Sequence, residues 1–346
     1  MLAQNKGMTI SFSIENAFDD KRWDDFILNH PYGNIFQSHN MYEVYRNTKN
    51  YYPIKIFAIN QATDELNGVL NAVVVCEVGG FLSNFSAHSI IQGSPIILPG
   101  LEKEIVPLLV TEHDRLSRRK ALYSEIRNLN DFKDTLRSIT DYKYEDHLNF
   151  LLNLDQSETD LWHQLHQSRK KNIKRAAKEN VIVEEMLERE FLNVFYKLLQ
   201  ETYMEVRIPL AHISLFEAAF DILYPAKMIK FFLARQGNKY IGARAILLYK
   251  NIIYDWYAGA AKDALEAHPN DYLVWHILKW GIDNGYKQFD FGGAGKPDVE
   301  YGPREFKRRF GGELVNYGRH INVYSPKKME IVKRGFEVYR KLIPRT

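Results

Sequence analysis

The chain has 346 residues, 45% of them apolar and 26% charged, with a formal net charge of +3. That length suits two domains, and the composition is that of a globular protein rather than a disordered, collagen-like or disulfide-stapled one. So small a net charge does not by itself call for a nucleic-acid partner, and the single cysteine, Cys76, excludes an internal disulfide and a multi-cysteine zinc site.

Residues 18–29 have the spacing of an amphipathic helix with Trp23, Phe26 and Ile27 inward. A second helix is predicted over 40–48, capped by Ser38 or Asn40. Residues 52–59 read as a strand, Asn67-Gly68 signals a hairpin turn, and 66–78 continues the sheet as far as Gly79-Gly80. Residues 90–98 contain Gln92-Gly93-Ser94-Pro95 and read as a bent edge. A helix over 101–118, a strand over 122–127, a short helix over 132–138 and a long strand over 144–154 follow. No apolar run is long enough to span a bilayer, and residues 1–12 lack a signal-peptide core, so a cytoplasmic setting is expected.

Ser157 opens a second run. Leu161, Trp162 and Leu165 mark a short helix. Ser168 is placed to cap a basic helix over 169–178, which holds Arg169, Lys170, Lys171, Lys174, Arg175 and Lys178, with Ile173 and Ala177 inward. Then come a strand over 181–184, helices over 191–203 and 213–223, and strands over 227–234, 240–249 and 252–259. Pro269-Asn270-Asp271 starts a helix with Leu273, Val274, Ile277, Leu278 and Ile282 on one face, and Gly285 ends it. Residues 287–291 form a strand with Phe289 and Phe291 on one face. A glycine-rich loop leads to Lys307-Arg308-Arg309 between Phe306 and Phe310; a strand over 314–324 and a helix over 326–341 finish the chain. The element order roughly repeats, so two closely packed domains of mixed α/β type are expected, 1–155 and 156–346, with the last helix returning to the first.

Several short motifs fail on context. Asp290-Phe291-Gly292 lacks the lysine strand and catalytic loop of a kinase. Gly295-Lys296 lacks the earlier glycine and the Ser or Thr of a phosphate-binding loop. His163 and His166 lack a third metal ligand, and no Ser-His-Asp or Cys-His grouping is visible. Other features carry two readings each. The basic helix is a landing strip for tRNA or another polyanion, or a solvated face. Arg207, at a helix end before Pro209, binds phosphate or pairs with Glu201 or Glu205. Alternation sets Tyr254 and Trp256 on one strand face and Tyr257 on the other, one face core and one groove. Tyr301, in a loop near Lys307, is a groove candidate.

The succession of Pro269-Asn270, Trp280, Gly285, a strand, Asp290-Phe291-Gly292-Gly293 and Phe306-Lys307-Arg308-Arg309-Phe310-Gly311 resembles the C-terminal domain of the Fem family. The match is densest over 254–312 and weaker over 162–185 and 36–95. Fem proteins are aminoacyl-tRNA-dependent transferases that build peptidoglycan side bridges, within the GNAT-fold acyltransferases. The resemblance implies tandem GNAT-like acyltransferase domains, without a long helical arm, for which 203–213 leaves no room. It implies transfer of an aminoacyl group from aminoacyl-tRNA to an amine of an anionic cell-wall precursor. No bound cofactor is implied, since the acyl donor is a co-substrate. On this match the family's catalytic lysine falls at Lys307, with Arg308 the competing cation. Substrate contacts fall at Arg207 and, by a looser match, Arg46; Trp256, Tyr301 and Arg308 complete the expected substrate-binding set. Two alternatives stand beside this: an acyl-CoA-dependent N-acyltransferase acting on a surface-polysaccharide precursor, and a non-catalytic binding module. Against acyl-CoA, residues 266–271 do not spell the R/Q-x-x-G-x-G/A cradle for a pyrophosphate.

Overall fold

The computed structural model describes residues 11–76 and 87–330, which fall into two units. In the first, β1 (Phe12–Glu15), β2 (Tyr51–Asn60), β3 (Leu66–Val75), β4 (His88–Gln92), β5 (Ile96–Ile97), β6 (Tyr123–Arg127) and β7 (Lys143–Glu145) build a mixed sheet with α1 (Asp20–Asn29), α2 (His39–Arg46) and α3 (Glu102–Ser117). Strands β4 and β6 are parallel, whereas β1, β2, β3 and β4 pair antiparallel in turn. The apolar stripe of α3, with Ile105, Val106 and Leu109 buried, packs on β2 and β3. Asn67-Gly68 is not the hairpin turn. The turn lies at 61–64, closed by the Asn60 N–H on the Glu65 carbonyl. Gly68 sits inside β3, where a Cβ would come within 2.8 Å of Ile105, so its glycine serves helix approach rather than chain reversal.

The second unit holds β8 (Leu148–Asn153), α4 (Glu158–Gln164), α5 (Gln167–Lys178), β9 (Val181–Glu185), α6 (Leu192–Glu205), α7 (Ser214–Leu223), β10 (Ile229–Gln236), β11 (Lys239–Tyr249), β12 (Ile252–Ala260), α8 (Pro269–Asp283), β13 (Gln288–Gly293), α9 (Gly302–Arg308) and β14 (Glu313–Asn316). Its seven strands run in the order β14-β8-β13-β12-β11-β10-β9, all antiparallel except β12 and β13. Phe289, Phe291, Leu273, Val274 and Ile277 lie in its core, as their spacing predicts.

Two expected strands divide between sheets. The stretch 144–154 is broken between β7 in the first sheet and β8 in the second, so the boundary falls at 144/145 rather than 155. The stretch 314–324 is broken by Gly318 at φ +65, leaving β14 in the second sheet and β15 (Arg319–Val323) between β6 and β7 in the first. The first unit therefore regains the chain from residue 320. Most of the expected helix 326–341, like Gly79-Gly80, lies outside the described residues.

A Ser-His-Asp grouping, not expected from the sequence, is present in the first unit. Ser89 Oγ is 2.8 Å from His113 Nε2, and His113 Nδ1 is 3.0 Å from Asp114 Oδ1. Ser89 and His113 are fully buried, so no substrate reaches them. Asp114 also accepts from the Tyr142 and Tyr324 hydroxyls at 2.6 Å each and from Asn322 at 2.9 Å. The cluster ties the returning strand β15 to α3. Among the described residues no helix is long and apolar enough to cross a membrane, and no group of His, Cys, Asp or Glu is arranged to hold a metal ion.

Candidate active site

The parallel strands β12 and β13 pair only at Ile252–Gln288, Ile253–Phe289 and Tyr254–Asp290. Beyond these residues they part. On β12 the cause is a bulge: Asp255 lies opposite Ile246 and Tyr257 opposite Ala245, so Trp256 is the extra residue. On β13 the register with β8 breaks between Asp290 and Gly293, where Gly292 adopts φ +70. The sheet thus opens at the C-terminal ends of its one parallel pair.

Lys307, on α9, reaches the end of β13. Its ammonium donates to the carbonyls of Phe291 at 2.5 Å, Gly293 at 2.9 Å and Gly292 at 3.2 Å, one acceptor for each hydrogen. Its neighbours Phe306 and Phe310 pack ring to ring at 5.1 Å, and Phe310 is fully buried against Phe291, so the aromatic pair fixes the short helix. Burial lowers the pKa of the Lys307 ammonium, against the carboxylates of Asp255 and Asp290, which raise it. Asp290 is held by Asn149 and by the Gly292 N–H, both at 2.7 Å, and burial raises its carboxyl pKa. Asp255 pairs with buried Arg244 at 2.5 Å. Asp255 Oδ1 and Arg244 Nε are buried without a hydrogen-bond partner among the described residues. Such atoms are uncommon in folded proteins and are found at sites that await a ligand. The sequence reading missed Arg244, Asp255 and Asp290; their signal was charge inside otherwise apolar strands.

The remaining expected residues are dispersed around this centre. The bulge turns Trp256 and Tyr257 to the same side, where both rings meet Phe216 at 5.8 and 4.8 Å, so simple alternation does not apply past Asp255. Tyr254 is buried in the core. Tyr301 precedes α9, and its ring lies against Gly295. The Tyr203 phenol is pushed up in pKa by burial and then by Tyr257, Asp255 and Tyr301, which places four polar side chains together near the opening. Arg308 is exposed and bidentate on Glu305, which also holds Arg309 and whose pKa falls to about 2. The three cations of the run therefore separate: Lys307 inward, Arg308 and Arg309 on Glu305. Arg207 is exposed just past α6 at φ +54, while Glu201 and Glu205 both engage Lys262. Arg46 is exposed and pairs with Glu43 at 2.7 Å.

The basic helix α5 is not uniform. Arg169 is largely buried and pairs with Asp271 at 2.6 Å, its guanidinium 5.1 Å from the Phe306 ring centre. His166 rather than Ser168 caps the helix, and Ala176 rather than Ala177 turns inward with Ile173. Lys171, Lys174 and Lys178 are exposed. At the start of α8, His268 is left-handed, Pro269 lacks an N–H, and Asp271 sits in the first turn on Arg169.

Residues 164–308 match the model of the Acetyltransferase (GNAT) domain, so the second unit is a GNAT acyltransferase domain. No curated protein matches the sequence. Among solved structures the chain is similar to FemX, with 16% identity over 93% of this chain and 100% of that one and a TM-score of 0.67. It is also similar to the C-terminal domain of a lysylphosphatidylglycerol synthetase from Agrobacterium fabrum, with 13% identity, coverage of 94% and 96% and a TM-score of 0.56. A tandem GNAT protein from the clavulanic acid pathway aligns at 10% identity over 90% and 98%, with a TM-score of 0.56. The fold is accordingly that of a Fem-like tandem GNAT acyltransferase.

Proposed function

We propose that this protein transfers an aminoacyl group from aminoacyl-tRNA to an amine of an anionic cell-wall precursor, in the cytoplasm. The observation that carries the reading is the Lys307 ammonium seated where β12 and β13 part. The acceptor nitrogen attacks the ester carbonyl carbon, the new C–N bond forms, and the bond to the ribose oxygen breaks. The amine proton leaves with that ribose oxygen. Negative charge gathers on the carbonyl oxygen in the transition state, and Lys307 turns one N–H from a β13 carbonyl to meet it. Asp255 and Asp290 favour the charged ammonium.

The start of α8 supports aminoacyl-tRNA over acyl-CoA as donor. A pyrophosphate there meets proline and a carboxylate rather than free amide groups. The acyl-CoA reading draws instead on the matched acetyltransferase model. Supplying labelled aminoacyl-tRNA and labelled acyl-CoA with an amine-bearing precursor separates the two. Product from aminoacyl-tRNA is expected, weakened when Lys171, Lys174 and Lys178 are changed to Glu. Product from acyl-CoA alone overturns the donor, and turnover with neither leaves a binding module.

Arg207 and, secondarily, Arg46 are assigned to phosphates of the acceptor. Replacing Arg207 by Ala is expected to raise the Michaelis constant for a phosphorylated acceptor roughly 10-fold or more, the worth of a hydrogen bond to a charged group. An unchanged constant removes Arg207 from the site.

A further inference from the structure

A cavity of about 590 Å³ lies where β10 begins, β11 turns into β12 and α8 ends, and the transfer reading makes no use of it. It sits toward the start of the parallel pair, whereas Lys307 sits at its open end. Trp280 and Tyr286 line it with ring centres 5.4 Å apart. Its lining carries the ammonium groups of Lys227, Lys230 and Lys250 against one carboxylate, Glu185. That carboxylate is engaged by Lys230 at 2.5 Å, and the same ammonium lies 5.2 Å from the Trp280 ring centre.

The backbone singles out the other two lysines. Lys227 has φ +58 and Lys250 has φ +51, in the left-handed region where a Cβ is crowded and where glycine or asparagine is the ordinary choice. Lys227 follows α7, its N–H on the Tyr224 carbonyl and the Met228 N–H on the Leu223 carbonyl, a helix-closing turn that favours glycine. Lys250 opens the two-residue turn between Tyr249 and Ile252, again a position for asparagine or glycine. Two unrelated turns thus keep a lysine where its backbone is strained, and both lysines line one cavity. Local strain of this kind gathers at ligand sites.

We propose that this cavity binds a nucleoside monophosphate unit, with the phosphate between Lys227 and Lys250 and the base against Trp280 and Tyr286. The volume is that of a small-molecule site. The excess of two positive charges matches a phosphate dianion, and the paired rings offer a stacking surface indifferent to base identity. Burial lowers the Lys250 pKa, and a phosphate beside it raises it again. The unit comes from a free nucleotide or from the end of an RNA chain.

The test titrates tryptophan fluorescence and heat of binding in the full chain with AMP, UMP, inorganic phosphate and a 5′-phosphorylated RNA tetranucleotide, without acyl donor or acceptor. Its failure therefore leaves the transfer reading intact. Both mononucleotides should bind saturably and at least about 10-fold more tightly than inorganic phosphate, given about 1–3 kcal/mol per stacked base. Trp280→Phe should remove the fluorescence change while the heat of binding persists. Lys227→Gly combined with Lys250→Gly relieves both left-handed positions. That variant should melt no lower than the parent yet bind AMP at least about 10-fold more weakly. The tighter of AMP and tetranucleotide identifies the source. Absence of saturable nucleotide binding, inorganic phosphate binding as tightly as AMP, or a double variant that binds like the parent each overturns the proposal.

Discussion

Lys307→Met should lower acyl transfer by about 100- to 1000-fold, the usual loss when a preorganised donor to an oxyanion is removed. The structure gives this lysine two tasks, and the experiment separates them. As a clamp it joins α9 to three carbonyls at the end of β13. As a donor it stabilises the transition state. Loss of the clamp alone lowers the melting temperature and raises the Michaelis constants as the site loosens. Loss of the donor lowers kcat with Michaelis constants nearly unchanged, which is the expected result. Arg308→Met should stay within a few-fold of the parent, because Arg308 is spent on Glu305 at the surface. The reverse pattern, with Lys307→Met active and Arg308→Met dead, removes Lys307 from catalysis. Its pKa is lowered by burial, so activity should fall on the alkaline side sooner than an ordinary lysine would dictate.

Asp114→Ala should destabilise the protein by about 3–5 kcal/mol, as when one partner of a buried charged network is removed. The substitution strips the acceptor from His113, Tyr142, Asn322 and Tyr324, and each buried donor left without one costs about 1–3 kcal/mol. Urea melts measure the loss, and hydrogen exchange along β15 locates it. A shift below about 1 kcal/mol would show that the network does not hold the returning strand. Burial pushes the Asp114 pKa up, but hydrogen bonds from His113, Tyr142 and Tyr324 outweigh it and the net shift is downward. A carboxyl depressed in the folded state stabilises above its unfolded pKa, about 3.9. The contribution of Asp114 should therefore be whole at neutral pH and lost only as acid takes the pH down through the folded value.

The local elements were legible wherever a period decided them. Trp23 and Ile27 on α1, Ile105 and Leu109 on α3, and Leu273, Val274 and Ile277 on α8 lie buried at helical spacing. The phenylalanines around Lys307 anchor α9 as their flanking positions suggested. These features depend on neighbours within a turn or two of chain, which a sequence carries directly.

Tertiary structure alone decided the rest. Alternation looks the same whichever sheet a strand joins, so 143–153 and 313–323 each read as one strand although β7 and β15 belong to one sheet and β8 and β14 to the other. One extra residue at Trp256 reverses the facing of Tyr257, and only pairing with β11 reveals it. Arg169 looked like the first of a row of surface cations until Asp271, far along the chain, drew it inward. Ser89 and Asp114 share His113 only because β4 and α3 pack together. Asp255 and Asp290 act on Lys307 because β12 and β13 part beside α9. Each of these depends on groups distant in sequence, and a burial cost or a charge–charge term has no value until the fold sets the distance between them.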